Sequence, residues 1–491
     1  MNLKEKAISG AKWITISTIV VALVQMLRLM ILTRFLGKAE FGIVAIITFV
    51  LGLTYTFSDI GFSAGIMHEK DVDEKDFSSL FWTQLLIFFV IYFILSCTSP
   101  LIASFYNERA LSHLIPIALF DLVLAGIGKL YDTVLQKTMQ FKKIAFRNII
   151  SALCSVVVAI ILAILGFGIY SMILSTLTQS LINHLWNFIT GQQQYKIHLF
   201  CSVKRIKPYF KIGIYQTGTQ IIDYFCSKFD ILIIGKFLGT ENLGIYSLAK
   251  EIILKLILVI NSIVNRVALP VLSYHNSSNT FLRTQYCKML NLLSTVNFPI
   301  NVFFGVFSYQ IVFLFYGPKY IDIAPLVSIF SIYSIFHSIG NPVGNLAIAK
   351  GRTDISFQYV IVRSIISIGI ITITALYSTR VVAWGQVILI ISMLFVAWKM
   401  LINKLIQLPI LTYIKSFSTN GLVALIIGLP FFVIVHYNIF NISNLIFQLI
   451  IYGGLFILLY LIVLFLYVKE KELIINNVLH SINPRKEGKI I

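Results

Sequence analysis

Apolar stretches of twenty residues or more recur along the whole chain, and no other feature restricts the fold as strongly. Each is long enough to cross a hydrocarbon core of about 30 Å at about 1.5 Å of rise per helical residue. Backbone groups must be satisfied internally in hydrocarbon, so a crossing segment is either a helix or a strand of a closed barrel. The run from Val156 to Leu165 is continuously apolar, without the alternation of a barrel strand. The expected fold class is therefore all-α. Of 491 residues, 58% are hydrophobic and only 12% charged, too few charges to coat a soluble fold of this length.

The pattern predicts a polytopic membrane protein with about fourteen transmembrane helices, near residues 11–36, 41–67, 78–104, 112–135, 149–166, 168–190, 212–237, 241–270, 287–314, 321–348, 358–377, 381–399, 417–437 and 444–468. The first stretch is too long for a signal-peptide core and lacks a small-residue cleavage site, so it is expected to be retained. About 25 Lys and Arg fall on the side shared by both termini, against Arg34, Lys38, Arg109, Lys236, Lys319 and Arg380 on the other. The positive-inside rule then places both termini in the cytoplasm. The net charge of +19 is spread through short loops, which points to anionic membrane lipids rather than nucleic acid. The segments at 191–211 and 401–416 are expected to be the longest loops, both cytoplasmic.

A short repeat divides the chain. Arg34-Phe35-Leu36-Gly37, followed by Phe41-Gly42-Ile43, is matched by Lys236-Phe237-Leu238-Gly239, followed by Leu243-Gly244-Ile245, at a constant offset of 202 residues. Six helices separate the copies, so the halves share one orientation and an axis along the membrane normal. The expected organisation is a six-helix lobe at 1–190, a cytoplasmic linker at 191–211, a second six-helix lobe at 212–400, two further helices within 401–468 and a basic tail at 469–491.

Charges inside the spans point to function. Arg28, Asp59, Asp121, Asp223, Lys228, Asp230, Lys250, Glu251, Lys255 and Arg266 would each cost roughly 3 kcal/mol facing lipid near the bilayer centre. Their spacing places them on single faces. Gln216, Gln220, Asp223, Ser227 and Asp230 step by three and four, and Glu251 with Lys255 forms an i, i+4 pair. Thr48, Gly52, Tyr55 and Asp59 repeat the pattern, and Thr18, Gln25 and Arg28 lie on the first span. The expectation is a polar cavity between spans 1, 2, 7 and 8. Arg28, Lys255, Arg266, Gln25 and Gln220 are the candidate substrate ligands, with Asp59 or Glu251 the resting partner of Arg28. Asp59, Asp223, Asp230 and Glu251 are the candidate carriers of a coupling H+ or Na+. The bland alternative is structural ion pairing, or snorkelling to the interface by residues such as Arg363.

No phosphate loop, metal-ligand spacing or nucleophile elbow occurs, so no catalytic residue, metal site or cofactor is expected. The five cysteines are scattered, with no paired spacing, and are expected to be single membrane-buried thiols. A membrane glycosyltransferase or polymerase usually needs sizeable outer loops, which this chain lacks.

The segments Ser9-Gly10-Ala11-Lys12-Trp13, Asp59 with Gly61, Ser79-Leu80-Phe81-Trp82, and Gly340 to Phe357 carry a resemblance to Wzx-type polysaccharide flippases of the multidrug/oligosaccharidyl-lipid/polysaccharide exporter superfamily. It covers nearly the whole chain. The resemblance implies export of an undecaprenyl-pyrophosphate-linked oligosaccharide across the bacterial plasma (inner) membrane by alternating access, with the polysaccharide polymerase and export machinery as further partners. It also likens Arg28 and Arg266 to cavity arginines of related lipid flippases. The competing transport reading is a drug or small-cation exporter, whose cavity would be dominated by acids.

Overall fold

The computed structural model describes residues 3–59, 61–69, 72–274, 279–440, 442 and 444–467. Among the side chains outside the described set are those of Asp59, Gln216 and Arg266. The described chain is helical. It opens with α1 (Leu3–Phe35), α2 (Lys38–Asp59), the short α3 (Phe62–His68), α4 (Glu74–Tyr106), α5 (Leu111–Lys137), α6 (Phe141–Ile164) and α7 (Tyr170–Gly191). The middle comprises α8 (Val203–Ser227), α9 (Phe229–Phe237), α10 (Gly239–Tyr274), α11 (Asn279–Val306) and α12 (Ser308–Tyr316). Then come α13 (Ala324–Gly340), α14 (Pro342–Ala349), α15 (Thr353–Thr374), α16 (Thr379–Ala397), α17 (Asn403–Ile406), α18 (Ile410–His436) and α19 (Leu445–Tyr467).

Eleven segments are helical, long and apolar enough to cross a membrane among the described residues. Three of the expected spans are helical without meeting that measure: α7, the broken rod α8–α9, and α10. In α7 the cause is polar content, with Gln179, Asn183, His184 and Asn187 on one helix; the α8–α9 rod is interrupted at Lys228; and much of the apolar carboxy-terminal half of α10 lies outside the described side chains. One expected loop proves largely helical and the other becomes helical in its second half. Residues 401–416 include a π-helical turn (Trp398–Ile402), α17 and the start of α18, with the break confined to 407–409, where Gln407 takes a left-handed conformation before Pro409. The 191–211 segment is extended only to Ser202, after which α8 begins.

Packing within each half pairs some helices that are neighbours in the chain and others that are not. α1 packs on α6, α5 on α4 and α7, and α6 on α7; later, α13 packs on α11 and α16, and α15 on α16. Specific polar bonds hold these contacts, since lipid offers little hydrophobic drive between helices. Arg147 on α6 donates to Asp132 of α5 at 2.6 Å and also to Asn187 of α7. α18 packs on α11, and α19 packs on α12 and α18. Tyr460 donates to the Thr295 carbonyl at 2.9 Å, and Phe431 packs on Phe456 with ring centroids 5.8 Å apart.

The two copies of the repeat meet face to face where α2 crosses α10. A methyl group on Gly42 would collide with the carbonyl oxygen of Thr240, and one on Gly244 with that of Lys38. Thr240 lies 202 residues after Lys38, so the two contacts are reciprocal, as an axis relating the copies requires. Only glycine lets two backbones approach this closely. Gly239 supplies the left-handed turn, φ +82°, that leads from α9 into α10.

Candidate functional site

The bundle end that carries the α1–α2 turn is sealed across the halves. Lys38 forms an ion pair with Asp322 at 2.7 Å, and Tyr320 and Lys319 donate to the Leu36 carbonyl at 2.7 and 3.1 Å. Lys236 donates to the Phe105 carbonyl at 2.7 Å, and Thr240 to Glu108 at 3.3 Å. The Gly42–Gly244 crossing lies in the same layer. Glu40 accepts from the Gly37 amide at 2.6 Å and so holds the turn itself.

Below this seal lies a cavity of about 360 Å³, whose walls include Arg28, Thr48, Thr176, Lys228, Lys250 and Glu251. A second compartment of about 530 Å³ shares Glu251 and Leu254 with it and runs past Gln25 and Lys255 to Ile14 and Leu258. Fourteen residues separate Ile14 from Arg28 along α1, or about 21 Å. The combined space thus runs from near the amino-terminal end of α1 to a closed floor beneath the α1–α2 turn.

Cations dominate the inner compartment. Arg28 donates to Ser155 at 3.1 Å and more weakly to Thr176 at 3.5 Å, while its Nε is buried without a partner. Neither Arg28 nor Lys228 has an ion-pair partner among the described residues. The helix break at Lys228, between α8 and α9, brings that lysine to the cavity wall beside Ile231. Arg28 does not take Glu251 as its resting partner, because Glu251 pairs with Lys255 at 2.9 Å on its own helix face.

Two of the other acids have cations of their own, and a third, Asp121, has a tyrosine hydroxyl. Asp230 is fully buried and accepts from Tyr246 at 2.6 Å, from Gln386 of α16 at 2.9 Å, and from Lys250. Its second oxygen is buried and unpartnered. Asp223 pairs with Arg363 of α15, so that arginine is tied to α8 rather than snorkelling. Asp121 accepts from Tyr55 at 2.7 Å.

The structure therefore brings Arg28, Gln25, Glu251 and Lys255 to one continuous space, and places Asp230 and Asp223 in ion pairs beside it. Gln220 is exposed on α8. The side chains of Asp59 and Arg266 lie outside the described residues. α6 and α7 also line the space, through Asn148, Gln179 and Thr176, beyond the four expected spans. Lys228 was legible as an intramembrane charge, but nothing in its spacing separated it from a structural ion pair. Gln386 and Ser155 carried no signal.

A profile described as "Polysaccharide biosynthesis protein" matches residues 31–325, more than half of the chain. The chain belongs to this family. It is 27% identical over 435 residues to the teichuronic acid biosynthesis protein TuaB of Bacillus subtilis (strain 168), covering 87% of this chain and 89% of that protein. It is 27% identical over 373 residues to the lipopolysaccharide biosynthesis protein WzxC of Escherichia coli (strain K12), covering 76% of each. In fold it is similar to the lipid II flippase MurJ in an inward closed conformation, with a TM-score of 0.73 over 94% of this chain and 99% of that one at 18% identity. An inward-facing multidrug resistance MATE family transporter of the MOP superfamily matches in fold with a TM-score of 0.63 over 78% of this chain and 96% of that one, at 16% identity. This member of the polysaccharide biosynthesis family is thus all-α, with eleven described segments long and apolar enough to cross a membrane and a fold shared with these transporters.

Proposed function

We propose that the chain flips a diphosphate-linked, lipid-borne oligosaccharide from the cytoplasmic to the outer leaflet of the bacterial inner membrane, and that the structure is its inward-facing, outwardly sealed state. One observation carries the reading: Arg28 and Lys228, neither in an ion pair among the described residues, stand at the inner end of a cavity that reaches towards the opposite face. A diphosphate supplies the missing negative charge, and a planar guanidinium suits it by bidentate hydrogen bonding. Gln25, Thr48, Thr176 and Gln179 offer hydrogen bonds to sugar hydroxyls. The chain's likeness to proteins of teichuronic acid and lipopolysaccharide biosynthesis supports a glycan cargo. A cation exporter is disfavoured, since a cationic floor repels its substrate.

The same reading takes α1 to α19 as fourteen membrane-crossing rods in two six-helix lobes plus α18 and α19, with both termini cytoplasmic. The reciprocal Gly42 and Gly244 contacts and the Lys and Arg asymmetry support it. For ion coupling, Glu251 is the best-placed carboxylate, because it faces the cavity and its lysine sits on the same helix. Asp223 and Asp230 must first release Arg363 and Lys250. The flipped glycan then passes to the polymerase and export machinery at the outer face.

Complementation of a flippase-deficient strain tests the assignment. Arg28→Ala and Lys228→Gln should each reach the membrane at normal level yet fail to restore surface polysaccharide. Full restoration by both variants contradicts it.

A further inference from the structure

A second cationic cleft lies away from the central cavity, between the amino-terminal parts of α11 and α18. It encloses about 480 Å³. Thr284, Lys288 and Asn291 fall at i, i+4 and i+7 along α11, a polar stripe about 10 Å long. Thr412 and Ser416 of α18 line the opposite wall. Both helices are apolar enough to cross the membrane, so this stripe is an exception within each.

The cleft is held open at both ends. Asn420 donates to Asn291 Oδ1 at 3.2 Å and to Ser294 at 2.8 Å, which pins the helices together at the inner end. At the other end Arg283 Nε donates to the Ile406 carbonyl and Nη2 to Gln407 at 3.4 Å, leaving Nη1 without a hydrogen bond among the described residues. Lys288 has no ion pair and no hydrogen bond among them. No lining residue is acidic. Two cations flanked by hydroxyl and amide groups, near the amino-terminal ends of two helices apolar enough to cross a membrane, suit a phosphate carried by a lipid headgroup.

We propose that this cleft binds the phosphate headgroup of an anionic phospholipid of the leaflet at the α11 amino-terminal end, through Arg283 and Lys288. The proposal does not rest on the flippase reading.

Native mass spectrometry of the purified full-length protein tests it with phosphatidylglycerol, phosphatidylcholine and inorganic phosphate as probes. Phosphatidylglycerol should bind at least tenfold more tightly than phosphatidylcholine, and the Arg283→Gln/Lys288→Gln pair should remove that preference. Arg283 also braces Ile406, so Lys288→Gln alone, which leaves the brace intact, should weaken binding severalfold. Arg28→Ala should leave it unchanged. Equal binding of the two phospholipids, no effect of Lys288→Gln, or a loss with Arg28→Ala overturns the assignment. Displacement by equimolar inorganic phosphate would make the cleft a free-anion site, and preferential displacement by a polyprenyl diphosphate would make it a substrate entry site. Either result overturns the phospholipid proposal.

Discussion

Replacing Gly42 or Gly244 by alanine should open the outer seal. The new methyl group meets backbone, the Thr240 carbonyl in one case and the Lys38 carbonyl in the other, so no side chain can rotate out of its way. Relief requires α2 and α10 to separate. Overpacking of this kind costs about 1–3 kcal/mol. A central value of about 2 kcal/mol, acting on the sealed state alone, shifts the sealed-to-open ratio by about thirtyfold. The double variant should shift it by less than the product of the two, because one separation relieves both collisions. The readout is cross-linking between cysteines placed at 38 and 322, whose native side chains form the 2.7 Å ion pair across the seal. Yield with a short thiol cross-linker should drop strongly in Gly42→Ala and Gly244→Ala. Gly344→Ala serves as the control, since nothing lies within 4 Å of its added carbon. Unchanged cross-linking in both glycine variants would refute the claim that this crossing closes the outer side.

Lys250→Met strands the buried Asp230 carboxylate and should destabilise the protein by about 3–5 kcal/mol in detergent melts, while Asp230→Asn/Lys250→Met recovers most of that loss. Arg363→Met should cost at most about 1 kcal/mol in the same melts, because Asp223 is about half exposed. Arg28→Lys should restore export only in part, measured as surface polysaccharide in the complemented strain, since an ammonium keeps the charge but loses the bidentate fork. Glu251→Gln should remove any dependence of flipping on the ion gradient in vesicles; unchanged dependence excludes this carboxylate as the carrier.

Much of this architecture was legible before any coordinates. Continuous apolar runs dictated helices, and the 202-residue repeat located the two equivalent crossings. Apolar runs marked α7, α8–α9 and α10 as spans, and the same helices carry the polar groups that line the cavity, Thr176, Gln179, Lys228, Lys250, Glu251 and Lys255. The stripe on α8 and α9 was real as a pattern, yet its members part company in space: Asp230 turns to Lys250 and Gln386, Asp223 to Arg363, and Gln220 is exposed. Periodicity gives the face of a helix and not the neighbour across it. For the same reason the spacing did not choose between Asp59 and Glu251 as partner of Arg28: Glu251 pairs with Lys255 one turn away, and the Asp59 side chain lies outside the described residues. The basic cleft between α11 and α18 depends on two helices more than 120 residues apart in sequence, and neither stripe alone distinguishes it from a solvated end.

The central claim is that a lipid-linked diphosphate glycan enters from the cytoplasmic side and leaves only when the outer seal parts. Flipping of such a lipid in proteoliposomes, using the Lys38→Cys/Asp322→Cys protein with and without the cross-linker, tests this most directly. Cross-linked protein should still bind the lipid but not flip it, and a cleavable linker should restore flipping when cut. Flipping at the unlinked rate with the seal locked would contradict the account.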